Sequence, residues 1–192
     1  GLTNWGNTEQ KQKYLVPLAG GKKLGAFALS EPEAGSDASN QRTTAVRSGD
    51  EYILNGTKNF TTNGRNADII LVMASTDNSK GSHGVSTFIV EKGSPGLSVS
   101  KKERKLGIRS SDTVSLAFQD CRVPAANRIG EDGFGFKFAM KTLDGGRIGI
   151  AAQAVGIAQA SLDASINYSR QRKAFDKYLS DFQGIQFKIA DM

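Results

Sequence analysis

One cysteine, Cys121, and one histidine, His83, leave this 192-residue chain without the materials for several kinds of site. A lone cysteine closes no intramolecular disulfide, and the two residues together cannot form a cluster at zinc-ligand spacing. No Ser/His/Asp or Cys/His arrangement is present either, because His83 stands in the polar run Lys80-Gly81-Ser82-His83-Gly84, which reads as a loop. The phosphate-cradling patterns GxxxxGK[ST] and GxGxxG are missing. Long apolar runs are missing too: the longest, Ile69 to Ala74, has the length of a buried strand and falls short of the roughly 18 residues a membrane helix needs. These absences exclude the common hydrolase chemistries. A reaction carried by an organic cofactor stays open, since the protein then supplies only positioning and hydrogen bonds.

What is present is ordinary folded composition, with 38% hydrophobic and 23% charged residues, in a length that allows one or two domains. The net charge of +6 suits anionic ligands, and Lys101-Lys102-Glu103-Arg104-Lys105 is its densest run. That run reads as a solvated strand edge, because nucleic-acid binding would want exposed aromatics interleaved with the cations. Gly1 in place of an initiating Met, and a helical pattern still running at Ala190-Asp191-Met192, suggest an internal piece of a longer protein, so a missing targeting peptide carries no information.

Asn7-Thr8-Glu9-Gln10 has the form of a helix start, with Pro17 and Gly20-Gly21 expected to stop the helix. From Gly25 to about Phe118 the texture changes to short β-branched and aromatic runs. Val114, Leu116 and Phe118 alternate with Ser115, Ala117 and Gln119, which predicts a strand with one wet face, whereas Ile69–Met73 and Thr87–Val90 read as covered on both sides. Turns are expected at Ser48-Gly49-Asp50, Asn55-Gly56, Asn63-Gly64, Lys80-Gly81 and Ser94-Pro95-Gly96. After Gly133 the period becomes helical, first over Phe134 to Leu143, then beyond Gly145-Gly146 in a longer stretch whose Ile148, Ala151, Val155, Ala158, Leu162 and Ile166 form one apolar stripe. A third helix is expected from about Ser180-Asp181. The fold class is therefore α+β and multi-domain: an antiparallel β-barrel or sandwich over 22–130, flanked by the end of an N-terminal helical domain, 1–21, and the start of a C-terminal helical bundle, 131–192.

The most unusual local stretch is Phe27-Ala28-Leu29-Ser30-Glu31-Pro32-Glu33-Ala34-Gly35-Ser36-Asp37. It is either a strand entering a turn whose amides and hydroxyls hold a planar polar ring, or simply a strand followed by an Asx-type turn. Further segments accompany it: Leu54 to Gly64, Lys105-Leu106-Gly107-Ile108-Arg109-Ser110-Ser111, Phe118 to Pro124, Gly133-Phe134-Gly135-Phe136-Lys137, Leu143-Asp144-Gly145-Gly146-Arg147 and Arg170-Gln171-Arg172-Lys173-Ala174-Phe175. Together, in this order and spacing and over nearly the whole chain, they resemble the acyl-CoA dehydrogenases, and most closely the short-chain enzymes, straight or short/branched.

The resemblance implies an FAD enzyme that oxidises short-chain acyl-CoA thioesters to trans-2-enoyl-CoA in fatty-acid or branched-chain amino-acid breakdown. It also implies transfer of the electrons to an electron-transferring flavoprotein, a homotetramer, and a mitochondrial matrix location in a eukaryote or a cytoplasmic one in a bacterium. Phe27, Ala28, Leu29, Ser30 and Ser36 would belong to the flavin-binding stretch, with main-chain amides near Leu29 and the Ser30 hydroxyl at the pyrimidine end of the ring. Phe60, Thr61 and Thr62 would come from the second segment, with Phe60 where many relatives carry Trp. Ser36, Ser82, Asp144, Gly145, Gly146 and Arg147 would line the path of the thioester ligand. Arg172 and Gln183 would reach the flavin dinucleotide of a neighbouring subunit, near an Asp176 that stands where Gly is common. Of the family's two places for the catalytic carboxylate, the one within this chain is occupied by Gly146, so the base is expected beyond Met192 and this stretch alone is expected to be inactive. The alternative is a non-catalytic flavin- or CoA-binding or assembly module on the same scaffold.

Overall fold

The computed structural model describes residues 1–192. They form two compact units, Gly1–Thr142 and Leu143–Met192, each described by itself.

The first unit opens with helix α1 (Leu2–Trp5). The Asn7 side chain then accepts from the Gln10 amide at 2.8 Å while the Gln10 side chain accepts from the Asn7 amide at 3.2 Å, a reciprocal cap that starts α2 (Thr8–Gln10). A π-helical turn (Lys11–Leu15) leads on into α3 (Val16–Ala19), which ends at Gly20-Gly21, with Gly21 left-handed at φ 67°. Pro17 does not stop the helix as its sequence position suggests. It sits in the first turn of α3, directly after the widened π turn, where its missing N–H costs little.

Eight strands follow: β1 (Gly25–Ala28), β2 (Thr44–Ser48), β3 (Glu51–Thr62), β4 (Ile69–Ser75), β5 (Val85–Glu91), β6 (Leu97–Lys102), β7 (Thr113–Pro124) and β8 (Arg128–Ile129). They make one sheet in the order β6-β7-β3-β2-β4-β5-β8, with β1 added beside β4. Most ladders are antiparallel, as the hairpin-like spacing suggested; β1 lies parallel to β4, and the single pair Thr44↔Ser75 is parallel as well. Strands β4 and β5 are buried along nearly their whole length, matching their unbroken apolar runs. On β7 the expected wet face begins only at Gln119, because Thr113 and Ser115 are buried together with Val114 and Leu116. The core gathers Tyr52, Leu54, Val72, Phe88, Leu116 and Phe118, and each of its larger apolar side chains contributes about 1.5–3 kcal/mol through burial.

Asn55-Gly56 is not a turn. Gly56 lies inside β3 at φ 146°, where the ladder with β7 slips between Leu54 and Gly56. A Cβ there would come within 2.5 Å of the Thr43 hydroxyl and 2.6 Å of the Thr43 Cα, so the glycine serves a bulge and a close backbone approach. The basic run Lys101-Lys102 ends β6, an edge strand, as read.

Helix α4 (Gly135–Gln171) runs without a break through Gly145-Gly146. Each glycine costs about 1 kcal/mol relative to alanine, but with no proline nearby and helical sequence on both sides the ladder continues. On the part of α4 within the second unit the apolar stripe is uncovered, with Ile148 74% and Val155 69% exposed. A two-stranded hairpin of β9 (Lys173–Ala174) and β10 (Lys177–Tyr178) follows, then α5 (Gln183–Asp191), a few residues later than its expected start.

Candidate functional site

In the first unit, β1 ends at Ala28 and the chain enters an irregular turn closed by two main-chain bonds, Glu31 N–H to Ala34 O at 3.0 Å and Ala34 N–H to Glu31 O at 3.2 Å. The carbonyls on the near side of this turn are used internally: Leu29 O accepts from the Lys58 ammonium at 3.0 Å and Ser30 O accepts from the Asn59 amide at 2.7 Å. The amides of Leu29 and Ser30 find no acceptor in the chain. Unpaired donors beside a buried loop are uncommon, and they are what a polar ring edge would use.

Facing this turn from β3, Lys58 and Glu31 form an ion pair at 2.6 Å with side chains 0% and 1% exposed. Lys58 also donates to the Gln41 side-chain oxygen, and the Gln41 amide donates to Leu29 O at 3.3 Å. Glu31 accepts from the Arg42 amide at 2.5 Å and the Thr43 amide at 3.1 Å. Burial alone would raise the Glu31 carboxyl; the Lys58 charge and these hydrogen bonds outweigh it and hold the group below its ordinary value. Burial lowers the Lys58 ammonium to about 8 against the opposing pull of Glu31, so both groups carry their charges at neutral pH.

Immediately after Lys58 the ladder with β7 slips again, since Lys58 pairs with Leu116 and Thr61 with Val114. The extra residue puts Phe60 into left-handed backbone, φ 54°, with the ring 65% exposed. A bulky residue in that region is strained, and such strain gathers at functional positions. Thr62 is exposed as well. Thr61 between them is not: it is fully buried, its hydroxyl has no partner, and a Cβ on Gly64 would lie 3.0 Å from its methyl. Of the three residues expected here, two present side chains outward and Thr61 fills the interior.

Phe27 and Ala28 lie within β1, Phe27 half-buried and Ala28 completely buried, so Ala28 shapes the strand from inside. Ser36 is exposed just beyond the turn, and Ser82 is half-buried in the 3₁₀ segment Asn78–Gly84. A polar cleft of about 400 Å³ lies between the two stretches that follow and flank them, lined by Ser39, Arg42, Ser75 and Asn78 among others.

In the second unit Asp144, Gly145, Gly146 and Arg147 occupy one exposed turn of α4, where the Arg147 guanidinium donates to Asp144 at 2.9 Å. Asp144 therefore sits inside the helix and does not cap a new one. Nothing lies within 4 Å of a Cβ built on Gly146. Arg172 and Gln183 are both exposed, and the T-shaped ring pair Phe175–Phe182, 6.4 Å between centroids, ties the tip of the hairpin to the residue preceding Gln183. Phe175 and Asp176 are left-handed at φ 51° and 58°, the pattern of a type I′ turn, in which glycine at the second position is easiest.

Sequence reasoning quoted Glu31 and Lys58 within their motifs but gave neither a role, and it passed over Gln41. The available signal was Lys58, the one charge in Leu54 to Gly64; Glu31 shares its segment with Glu33 and Asp37 and did not stand out.

The chain matches the family model described as acyl-CoA dehydrogenase, middle domain, over residues 26–121, and the one described as acyl-CoA dehydrogenase, C-terminal domain, over residues 133–192. It is 58% identical over 192 residues to the short-chain specific acyl-CoA dehydrogenase of Megasphaera elsdenii, covering 100% of this chain and 50% of that protein. Among solved structures it is similar to butyryl-CoA dehydrogenase of Megasphaera elsdenii, with a TM-score of 0.95 at 56% identity over 99% of this chain and 50% of that one. It is also similar to a chain in the structure described as the electron transferring flavoprotein of Acidaminococcus fermentans, with a TM-score of 0.96 at 55% identity and the same shares of coverage. The chain spans about half the length of the curated relatives it matches.

Proposed function

Since the chain belongs to the acyl-CoA dehydrogenase family across both matched domains, we propose that the full-length protein is an FAD enzyme that removes hydrogen from the α and β carbons of short-chain acyl-CoA thioesters, giving trans-2-enoyl-CoA. The observation that carries this reading is the pairing of unbonded Leu29 and Ser30 amides with an outward, strained Phe60 one residue from the Asn59 that holds Ser30 O. Donors in fixed positions and an exposed aromatic face fit a flat heterocycle with a polar edge.

FAD, when bound, supplies the acceptor for the β hydride. The chain's own residues orient and shield it. Leu29 N–H, Ser30 N–H and the Ser30 hydroxyl donate to the polar edge, held in place before any charge moves, which is what makes such donors effective. Phe60 covers the ring and the Thr62 hydroxyl stands beside it, while Thr61 supports the bulge from inside. We assign Ser36 and Ser82 to the pantetheine arm of the thioester, and Asp144, Gly145, Gly146 and Arg147, whose two glycines leave the helix surface between the Asp144–Arg147 pair free of side chains, to the rest of that ligand. Gly146 takes no proton, so we assign the base for the α proton to the half of the protein outside this chain. Arg172 and Gln183 serve a neighbouring copy's flavin dinucleotide in a homotetramer, where the planar guanidinium suits two phosphate oxygens. The proposed electron acceptor is an electron-transferring flavoprotein.

The test is direct. Purified full-length protein is expected to be yellow, and anaerobic butyryl-CoA is expected to bleach its flavin band. A colourless protein that takes up no FAD would refute the cofactor assignment; a yellow one that no short acyl-CoA bleaches would support the non-catalytic module instead.

A further inference from the structure

We propose that Lys58 is a positioning residue of the cofactor site: its ammonium fixes the turn after β1 from behind, so that the Ser30 amide stands outward while the same strand presents Phe60 and Thr62. This rests on the reading that the turn and Phe60–Thr62 hold FAD. No role is otherwise attached to Lys58, Glu31 or Gln41.

The geometry is that of a clamp with one centre. Lys58 reaches three oxygens from three parts of the chain: Leu29 O at 3.0 Å, the Glu31 carboxylate at 2.6 Å and the Gln41 side chain. The Leu29 carbonyl is tied a second time, by the Gln41 amide at 3.3 Å, and the next carbonyl, Ser30 O, is tied by the amide of Asn59, the residue after Lys58. A peptide plane whose carbonyl is held inward turns the N–H on its far side outward. Holding Leu29 O therefore turns the Ser30 N–H outward, and the tie on Ser30 O sets the next peptide, whose Glu31 N–H closes the turn on Ala34 O at 3.0 Å. On the other side, Glu31 binds the Arg42 and Thr43 amides and so anchors the far end of the loop.

Lys58 also marks the last regular pair of β3 before the bulge, Lys58↔Leu116. An inward side chain at 58 and another at 61 leave the intervening residues to loop out, which gives Phe60 its left-handed φ of 54°. One strand segment therefore joins the two halves of the proposed site. A buried lysine is a costly way to fill a core, since a pair of apolar side chains of similar volume is often as stable or more so. A positional role accounts for its retention here: three acceptors at fixed directions are something an apolar side chain cannot supply.

The test uses full-length protein, stripped of FAD and reconstituted. The variant Lys58→Met/Glu31→Gln removes both charges, so that no unpaired ion is left buried. The expected result is a folded protein, judged by circular dichroism and size-exclusion chromatography, whose FAD dissociation constant rises about tenfold or more through misdirected hydrogen bonds, with a shifted visible band for the flavin that still binds. Unchanged affinity and an unchanged band would reduce the pair to ordinary core and overturn the proposal. Should that variant not fold, Gln41→Met decides, because it keeps the ion pair and removes one tie on Leu29 O: a rise of about threefold in the dissociation constant is expected, and no rise overturns the proposal. Unmodified protein that binds no FAD is the separate result that ends the cofactor reading itself.

Discussion

Replacing Phe60 by glycine and by alanine should reverse the ordinary ranking of those two residues in a strand. In an extended strand glycine is worse than alanine by roughly 0.5–1 kcal/mol, because it loses more backbone freedom on folding. At position 60 the backbone is left-handed, φ 54°, and an L-residue there carries about 1–2 kcal/mol of strain that glycine does not. Both substitutions remove the ring, of which 65% is already exposed, so the burial lost is about a third of a full phenylalanine, or roughly 0.5–1 kcal/mol. Alanine keeps the strain and loses that burial, giving a destabilisation of about 0.5–1 kcal/mol. Glycine sheds the strain and loses burial and entropy, which leaves it near wild type and about 0.5–1 kcal/mol above alanine. Urea unfolding of the flavin-free full-length protein, followed by circular dichroism at constant m, measures the difference. With saturating FAD both variants should lose much of the ligand-linked gain that wild type shows, since the ring that covers the cofactor is gone. Alanine more stable than glycine in the flavin-free protein would mean that residue 60 is not held left-handed, and the strain argument for the site would fail.

Gly56→Ala should cost about 3 kcal/mol or more, combining a glycine-only backbone with contacts of 2.5 and 2.6 Å to Thr43, and loss of soluble expression or a large fall in the urea midpoint would show it. Asp176→Gly should stabilise the β9–β10 hairpin by about 0.5–1 kcal/mol, since φ is 58° there, readable as slower amide exchange of that hairpin. Burial pushes the Cys121 thiol up to about 11, so it should resist thiol reagents at pH 8 in the native protein and react once urea unfolds it. The sign follows: a raised folded value favours the neutral thiol, so its share of stability is intact below the free-thiol value near 8.5 and is lost as the pH climbs to about 11.

Features that depend on a residue's own preferences were legible from the letters. The reciprocal cap at Asn7 and Gln10, the covered strands at Ile69 and Thr87, and the Ser48-Gly49-Asp50 turn all follow from local chemistry. Features that depend on a distant neighbour were not. Gly56 looks like a turn residue until Thr43 is placed against it, and Gly145-Gly146 look like a break until the helix on both sides carries them. Thr61 is grouped with Phe60 and Thr62 as a flavin-side residue because the slip that turns it inward arises from the partner strand. Lys58 carries no role in the letters because nothing local says that three oxygens surround it.

The parallel ladder of β1 with β4 bears on timing. Gly25 pairs with Ile69, 44 positions later (69 − 25), and the turn after β1 is clamped by Lys58, itself on a strand whose long partner β7 begins only at Thr113. During synthesis, therefore, the segment at Leu29–Ser36 leaves the ribosome well before anything exists to shape it. Closing such long loops is slow compared with forming a hairpin. The nascent chain should gain its affinity for FAD late and in one step, when β7 docks, and a cofactor supplied early would find no site to occupy.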